Sequence, residues 1–173
     1  VPLGLLYLSA WLEKNGFELK ASSFVDDDLW EVIYQPGFLL RKMLGTIRGY
    51  TRRFLDLFRL HQYDIVYVHL WVTPLGPPIF ERFVRKLSKN IIYDIDDMIY
   101  KSEGSAMNNL IYMLKGKNKS IALMKYANHV ITCTPDLNDF AKKYCNNCTD
   151  ISSTLDTVRM FPVNTYTNDK PIV

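Results

Sequence analysis

The sequence contains few cysteines and no long apolar run. Only three of its 173 residues are cysteine, and the opening residues lack the basic leader and cleavage site of a signal peptide. Both observations favour free thiols in a reducing cytoplasm. Cys145 and Cys148 form a C-x-x-C pair, but it lacks the further ligands of a zinc site, because Cys133 falls in a predicted buried strand. No segment approaches the roughly 20 apolar residues that span a bilayer, so we expect no membrane-spanning helix.

The chain also has little excess charge. Its net charge is +3 and its pI is near 8.7. A nucleic-acid-binding domain usually carries a much stronger basic patch, so we expect no nucleic-acid partner. Hydrophobic residues make up 48% of the sequence, which is enough for the core of one globular domain.

A buried strand and a Gly-rich turn normally open a βαβ fold, and neither occurs at the start of this sequence. The first complete pattern is helical, from Pro2 to Lys14, and Asn15-Gly16 ends it. Phe17 to Phe24 then has the pattern of a strand. We therefore expect that the first strand of the fold is missing upstream of Val1 and that the chain is a fragment.

The most informative stretch covers residues 63–100. Ile65 to Val68 and Asn90 to Tyr93 are short runs rich in β-branched or aromatic residues, which predict two strands. The residues between them have helical spacing, and such a crossover joins parallel strands. Further strands are expected at Asn128 to Cys133 and Thr149 to Ser153. The sequence thus predicts an α/β, Rossmann-like three-layer sandwich with a mainly parallel sheet.

Polar side chains follow both strands of this central unit. His69 and Trp71 follow the first strand, and Asp94, Asp96 and Asp97 lie at the end of the second. Ligands of open parallel sheets bind outside the carboxyl ends of the strands. We therefore predict a binding site at this edge of the sheet. Thr134, which follows the third predicted strand, is expected to line the same edge.

Other interpretations of these residues remain open. The carboxylates form a substrate site, or they form a structural cluster, or Asp94 and Asp96 hold Mn²⁺ or Mg²⁺ as a D-x-D motif. No cofactor is predicted apart from that alternative. His69 is either a ligand contact or a scaffold residue, and Trp71 either stacks on a sugar ring or fills the crossover.

A long amphipathic helix is predicted from Phe38 to Leu60. The acidic cluster before it, Asp26 to Asp28, is interpreted as a helix start, with metal binding as the alternative. The apolar stripe of the long helix is expected to face the core. The stripe consists of Leu40, Met43, Leu44, Ile47, Tyr50, Phe54, Leu57 and Phe58. The other face of the helix is either solvated or a contact for an anionic membrane or a phosphorylated, lipid-linked substrate. Guanidinium groups suit phosphate because they bind it through two parallel hydrogen bonds. The basic residues of that face are Arg41, Lys42, Arg48, Arg52, Arg53 and Arg59.

Five phrases of the sequence resemble, in order and spacing, the N-terminal domain of a glycosyltransferase family. The family is the retaining family 4 group, whose type B architecture has two Rossmann domains. The most specific phrase is the last of the five. On this resemblance, residues 1–163 are the acceptor-side domain, and residues 164–173 are a linker and the start of an absent C-terminal domain. The phrases, found between about Leu5 and Val163, are LEKNGFEL, YDIVYVH, IIYDIDD, NHVITCTPDLNDFAKKY and STLDTVRMFP.

The resemblance implies the transfer of a hexosyl group from a nucleoside diphosphate sugar to a glycan or lipid-linked acceptor in surface polysaccharide biosynthesis. The enzyme would be cytoplasmic and peripheral to the inner membrane, and this chain alone would be inactive. Asp96 falls where relatives carry a histidine near the sugar, which makes it the implied catalytic residue. The implied substrate contacts are Asp94, Asp97, His69, Trp71 and Thr134.

A different class of protein is the alternative. The opening of the chain is also similar to flavodoxin-like, cobalamin-binding modules, but their D-x-H-x-x-G ligand motif does not occur in this sequence. A ligand-binding or interaction module without catalysis would share the same fold.

Overall fold

A computed structural model describes Ser9, residues 11–98 and residues 118–151. The predicted domain boundary at residue 163, the linker that follows it and the STLDTVRMFP phrase lie outside these residues. The elements, in chain order, are helix α1 (Asp27–Ile33), helix α2 (Leu39–Leu57), a 3₁₀ turn (Leu60–Gln62), strand β1 (Val66–His69), helix α3 (Ile79–Leu87), strand β2 (Ile91–Ile95), helix α4 (Asn118–Tyr126), strand β3 (His129–Thr132), helix α5 (Pro135–Ala141) and strand β4 (Cys148–Asp150).

The four strands form an entirely parallel sheet in the order β1-β2-β3-β4. Helices flank this sheet, which confirms the predicted α/β class and is consistent with a Rossmann-like three-layer sandwich. Each predicted strand of the sheet is present, with its bounds shifted by one to three residues. Runs of β-branched and aromatic residues therefore located the strands correctly.

One face of the sheet is sealed in the core and the other is partly open. In β2, Ile91, Tyr93 and Ile95 are fully buried, whereas the two residues between them remain partly exposed. Val68 and Val130 are the register partners of Tyr93, so they share its buried face. The helices α3, α4 and α5 complete this core with Val84, Leu123, Met124, Leu137 and Ala141.

The strand predicted from Phe17 to Phe24 is wrong. Residues 17–24 contain no strand, and most of them are exposed. Hydrogen bonds to side chains hold this segment against α2: the Ser22 hydroxyl donates to Asp56 at 2.6 Å, and Arg53 donates to the Ser22 carbonyl at 3.0 Å. The side chain of Arg53 thus donates the hydrogen bond to a backbone carbonyl that a neighbouring strand would donate in a sheet.

Helix α2 has the opposite orientation to the one expected, because its apolar stripe faces outward. Leu40 is 71% exposed and Ile47 is 58% exposed, while Leu57 is the buried member of the predicted stripe. The packed face contains Gly49 instead, where an added Cβ would lie 2.7 Å from the backbone oxygen of Phe24. Small residues therefore face inward, since only they allow residues 24–29 to approach the helix so closely.

The arginines of α2 lie on the packed side of the helix. Arg48 is 3.1 Å from Asp28, and Arg52 is 3.6 Å from Asp26. Asp26 also caps α1 by accepting a hydrogen bond from the Leu29 backbone at 3.0 Å, which confirms the acidic cluster as a helix start. No helix in the described part of the chain, α2 included, is both long and apolar enough to cross a bilayer.

Candidate functional site

The ends of β1 and β2 bring His69 and Asp94 together. The two residues are register partners in the parallel ladder, so their side chains leave the same face of the sheet. The Nδ1 atom of His69 lies 3.1 Å from Oδ2 of Asp94. Both side chains belong to the less covered face, with 27% and 22% of their surfaces exposed. We call the end of the sheet where they lie the carboxyl edge.

Tyr67 joins His69 and Asp94 in a network of three side chains, and it was not among the site residues predicted from the sequence. Its hydroxyl donates a hydrogen bond to the same Asp94 oxygen that His69 contacts. Tyr67 precedes His69 by two residues, and alternate residues of a strand share one face. Its spacing from His69 was therefore enough to predict that it lies beside the site.

Hydrogen bonding sets the charge states of this network. Burial by itself would raise the pKa of Asp94, but the hydrogen bonds from His69 and Tyr67 outweigh it and hold that pKa below its ordinary value. The bond to Asp94 raises the pKa of His69, although desolvation opposes it. Burial and the neighbouring carboxylate raise the pKa of Tyr67, so the phenol stays protonated at neutral pH. The network thus pairs a carboxylate with an imidazole that readily carries a proton.

Asp96 lies on the other side of the His69 ring. Its Oδ2 atom is 4.0 Å from Nε2 of His69, and its side chain is 54% exposed. Its backbone carbonyl accepts a hydrogen bond from the Cys133 thiol at 2.8 Å, which links the loop after β2 to the loop after β3. Asp97 follows and is also exposed. The edge therefore presents an imidazole between one engaged carboxylate and one open carboxylate.

The two remaining predicted residues lie farther along the loops. Trp71 is 38% exposed, more than a tryptophan of the core would be. Its backbone N–H donates to the His69 carbonyl at 2.7 Å across Leu70, whose φ is +58°. The hydroxyl of Thr134 caps α5 by accepting the Leu137 N–H at 3.3 Å. Thr134 therefore has a structural task at the start of that helix.

A buried ion pair lies behind the carboxyl edge, and no motif indicated it. Nζ of Lys119 is 3.7 Å from Oε1 of Glu81, and both side chains are fully buried. Burial lowers the pKa of Lys119 and raises the pKa of Glu81, while each partner partly offsets the change in the other. The two residues lie far apart in the sequence, so periodicity carries no information about their contact.

Metal ligation finds no support in the described residues. Among them, no three His, Cys, Asp or Glu side chains are arranged to hold a metal ion. The carboxylate of Asp94 is already engaged by His69 and Tyr67, so it is poorly disposed to serve a D-x-D site with Asp96. The three cysteines are free thiols.

Comparison of the chain with known protein families, with curated proteins and with solved structures finds no match.

Proposed function

We propose that this chain is the acceptor-side domain of a retaining glycosyltransferase, which moves a hexosyl group from a nucleoside diphosphate sugar to a glycan or lipid-linked acceptor. The observation that carries the proposal is the network of Tyr67, Asp94 and His69 at the carboxyl edge of a parallel sheet. This is the edge at which open α/β sheets bind their ligands. An exposed tryptophan beside the network gives the edge a surface for a sugar ring.

The network suits the recognition of a sugar beside a diphosphate. Asp94 engages Nδ1 of His69, which leaves Nε2 facing Asp96 and the solvent. As a neutral ring, His69 accepts a hydrogen bond from an acceptor hydroxyl at Nε2; as an imidazolium, it donates one to a phosphate oxygen. The carboxylate of Asp96 orients a second hydroxyl or stabilises the positive charge that develops at the anomeric carbon.

A transfer assay with the complete gene product tests the proposal. Radiolabelled UDP- and GDP-hexoses would be supplied together with a lipid extract of the source cells, and transfer of label to the extract is expected. His69→Gln should reduce this transfer strongly. His129→Gln is the matched control, because His129 lies at the amino end of β3 and contacts Thr149 at 2.8 Å. Equal activity of the two variants, or no transfer with any of these donors, would contradict the proposal.

An anionic membrane surface is the second partner that we propose, and it contacts the apolar stripe of α2. An amphipathic helix with exposed apolar side chains lies flat in the interface of a bilayer. Arg41 and Arg48 are about half exposed, at 47% and 53%, but they pair with Glu31 and Asp28. Their attraction to anionic lipid is therefore partly offset, and the apolar stripe provides most of the proposed contact. The exposed members of the stripe are Leu40, Met43, Leu44, Ile47, Phe54 and Phe58.

Ile47→Asp is expected to lower binding to phosphatidylglycerol-containing vesicles about 10-fold or more, because insertion of one large apolar side chain contributes roughly 1.5–3 kcal/mol. Co-sedimentation with vesicles measures the bound fraction. Phe17→Asp is the control, since Phe17 is 52% exposed and lies outside α2, against 58% for Ile47. Equal binding of both variants would contradict the proposal. So would a dimer, formed through the stripe, that does not bind vesicles.

A further inference from the structure

We infer that Lys119 is a positioning residue for the carboxyl edge: its buried ammonium holds in place the loop that carries Trp71. We call this segment, residues 70–78, the β1 loop. It joins the end of β1 to α3 and begins directly after His69. The inference deepens the proposed function, because it identifies what fixes the sugar-facing tryptophan relative to the imidazole.

Lys119 uses all of its hydrogen-bonding capacity on the β1 loop. Its Nζ atom donates to the carbonyl of Thr73 at 2.8 Å, to the hydroxyl of Thr73 at 2.7 Å and to the carbonyl of Leu75 at 2.7 Å. An ammonium has three N–H donors, so none remains for another partner. The acceptors lie two and four residues beyond Trp71, which places the restraint close to that side chain.

The β1 loop depends on such restraints because few of its carbonyls have partners within the loop. Side chains from three other elements bind them, and buried carbonyls require partners of this kind. Lys119 is distinguished among these side chains because it makes three bonds to the loop. The others are Tyr93, which donates to Leu70 at 3.0 Å, Arg53, which donates to Val72 at 2.9 Å, and Tyr50, which donates to Leu75 at 2.8 Å.

Glu81 supports Lys119 through charge. Neither of its carboxylate oxygens has a hydrogen-bond partner among the described residues, although both are buried. The carboxylate lies 3.7 Å from Nζ of Lys119, which is close enough to balance the charge of the ammonium. A buried ion pair is rarely more stabilising than apolar residues of similar volume. Stability alone is therefore a weak reason for this pair, whereas a charged group with three directed donors fixes a loop as an apolar residue cannot.

A single-tryptophan reporter tests the inference. Trp11 and Trp30 are 60% and 62% exposed, so Trp11→Phe and Trp30→Phe leave Trp71 as the only tryptophan with little effect on the core. In this background, Lys119→Met is expected to increase acrylamide quenching of Trp71 about threefold and to shorten its anisotropy decay. Val84→Ala is the control for general destabilisation, because Val84 is buried on the same helix as Glu81.

Two results would overturn the inference: unchanged quenching in Lys119→Met, or an equal increase in Val84→Ala. Should Lys119→Met fail to fold, Thr73→Val removes one of the three acceptors and preserves the shape of the side chain. It is expected to increase quenching about twofold, and no increase would likewise overturn the inference. The measurement uses no substrate, so its outcome is independent of whether the complete protein transfers a sugar.

Discussion

On the proposed function, replacement of Asp94 by asparagine is expected to reduce sugar transfer by the complete protein roughly 100-fold, the loss that misplacement of a substrate-contacting group can cause. The carboxylate holds Nδ1 of His69 and favours its protonated form. An asparagine keeps the shape but has no charge and only a weaker hydrogen bond. The imidazole then loses both its fixed orientation and its raised pKa.

The same variant has a readout that does not depend on activity. NMR titration should show a lower pKa for His69 in Asp94→Asn than in the wild type. The pKa of His69 is raised in the folded state, so the pair stabilises the protein below the unfolded pKa of about 6.5. This stabilisation is lost as the pH rises through the folded pKa of His69, and at acid pH it is lost as Asp94 protonates. An unchanged His69 titration in Asp94→Asn would contradict the assigned network.

Glu81→Leu is expected to lower the free energy of unfolding by about 3–5 kcal/mol, because it leaves the Lys119 ammonium buried without its counter-charge. Lys119→Met should also be destabilising, because it leaves the buried carboxylate of Glu81 without its counter-charge and removes the three hydrogen bonds to Thr73 and Leu75. Urea denaturation of the two variants measures both losses.

The double variant Glu81→Leu/Lys119→Met completes a thermodynamic cycle. We expect it to recover much of the stability lost in Glu81→Leu, since the unpaired charge is gone and two apolar side chains fill the space. Its β1 loop should nevertheless be as mobile as in Lys119→Met, because no ammonium binds the carbonyls of Thr73 and Leu75. Additive losses in the cycle would show that the two side chains do not interact in the way their distance indicates.

The sequence predicted the sheet well because burial on a parallel sheet requires compact apolar runs. Such runs stand out at Ile65 to Val68 and at Asn90 to Tyr93, and the residues at their carboxyl ends, His69 and Asp94, were predicted to lie at one edge of the sheet, where the structure pairs them. Tyr67 was equally accessible to this reasoning through its spacing of two from His69. The parts of the site that belong to one strand or to adjacent strands could thus be predicted from local pattern.

The orientation of α2 and the buried ion pair could not be predicted in that way. A hydrophobic stripe normally indicates the buried side of a helix, yet here Gly45 and Gly49 mark the packed side, and their spacing of four residues was the available clue. Lys119 and Glu81 meet only because α3 and α4 pack against each other. Contacts of this kind depend on how distant elements pack, which the local pattern of a single sequence does not predict.

The strand order also bears on how the chain reaches its native state. Among the described residues, each strand from β1 to β3 pairs with the next strand along the chain, and a helix lies between the two strands of each pair. The entropic cost of closure grows slowly with the length of the connection, by roughly 0.6 kcal/mol for each doubling. The step from β3 to β4 spans the shortest connection, and the step from β2 to β3 spans the longest. Folding can therefore proceed by successive local closures, which favours a faster rate than a sheet built from distant segments would allow.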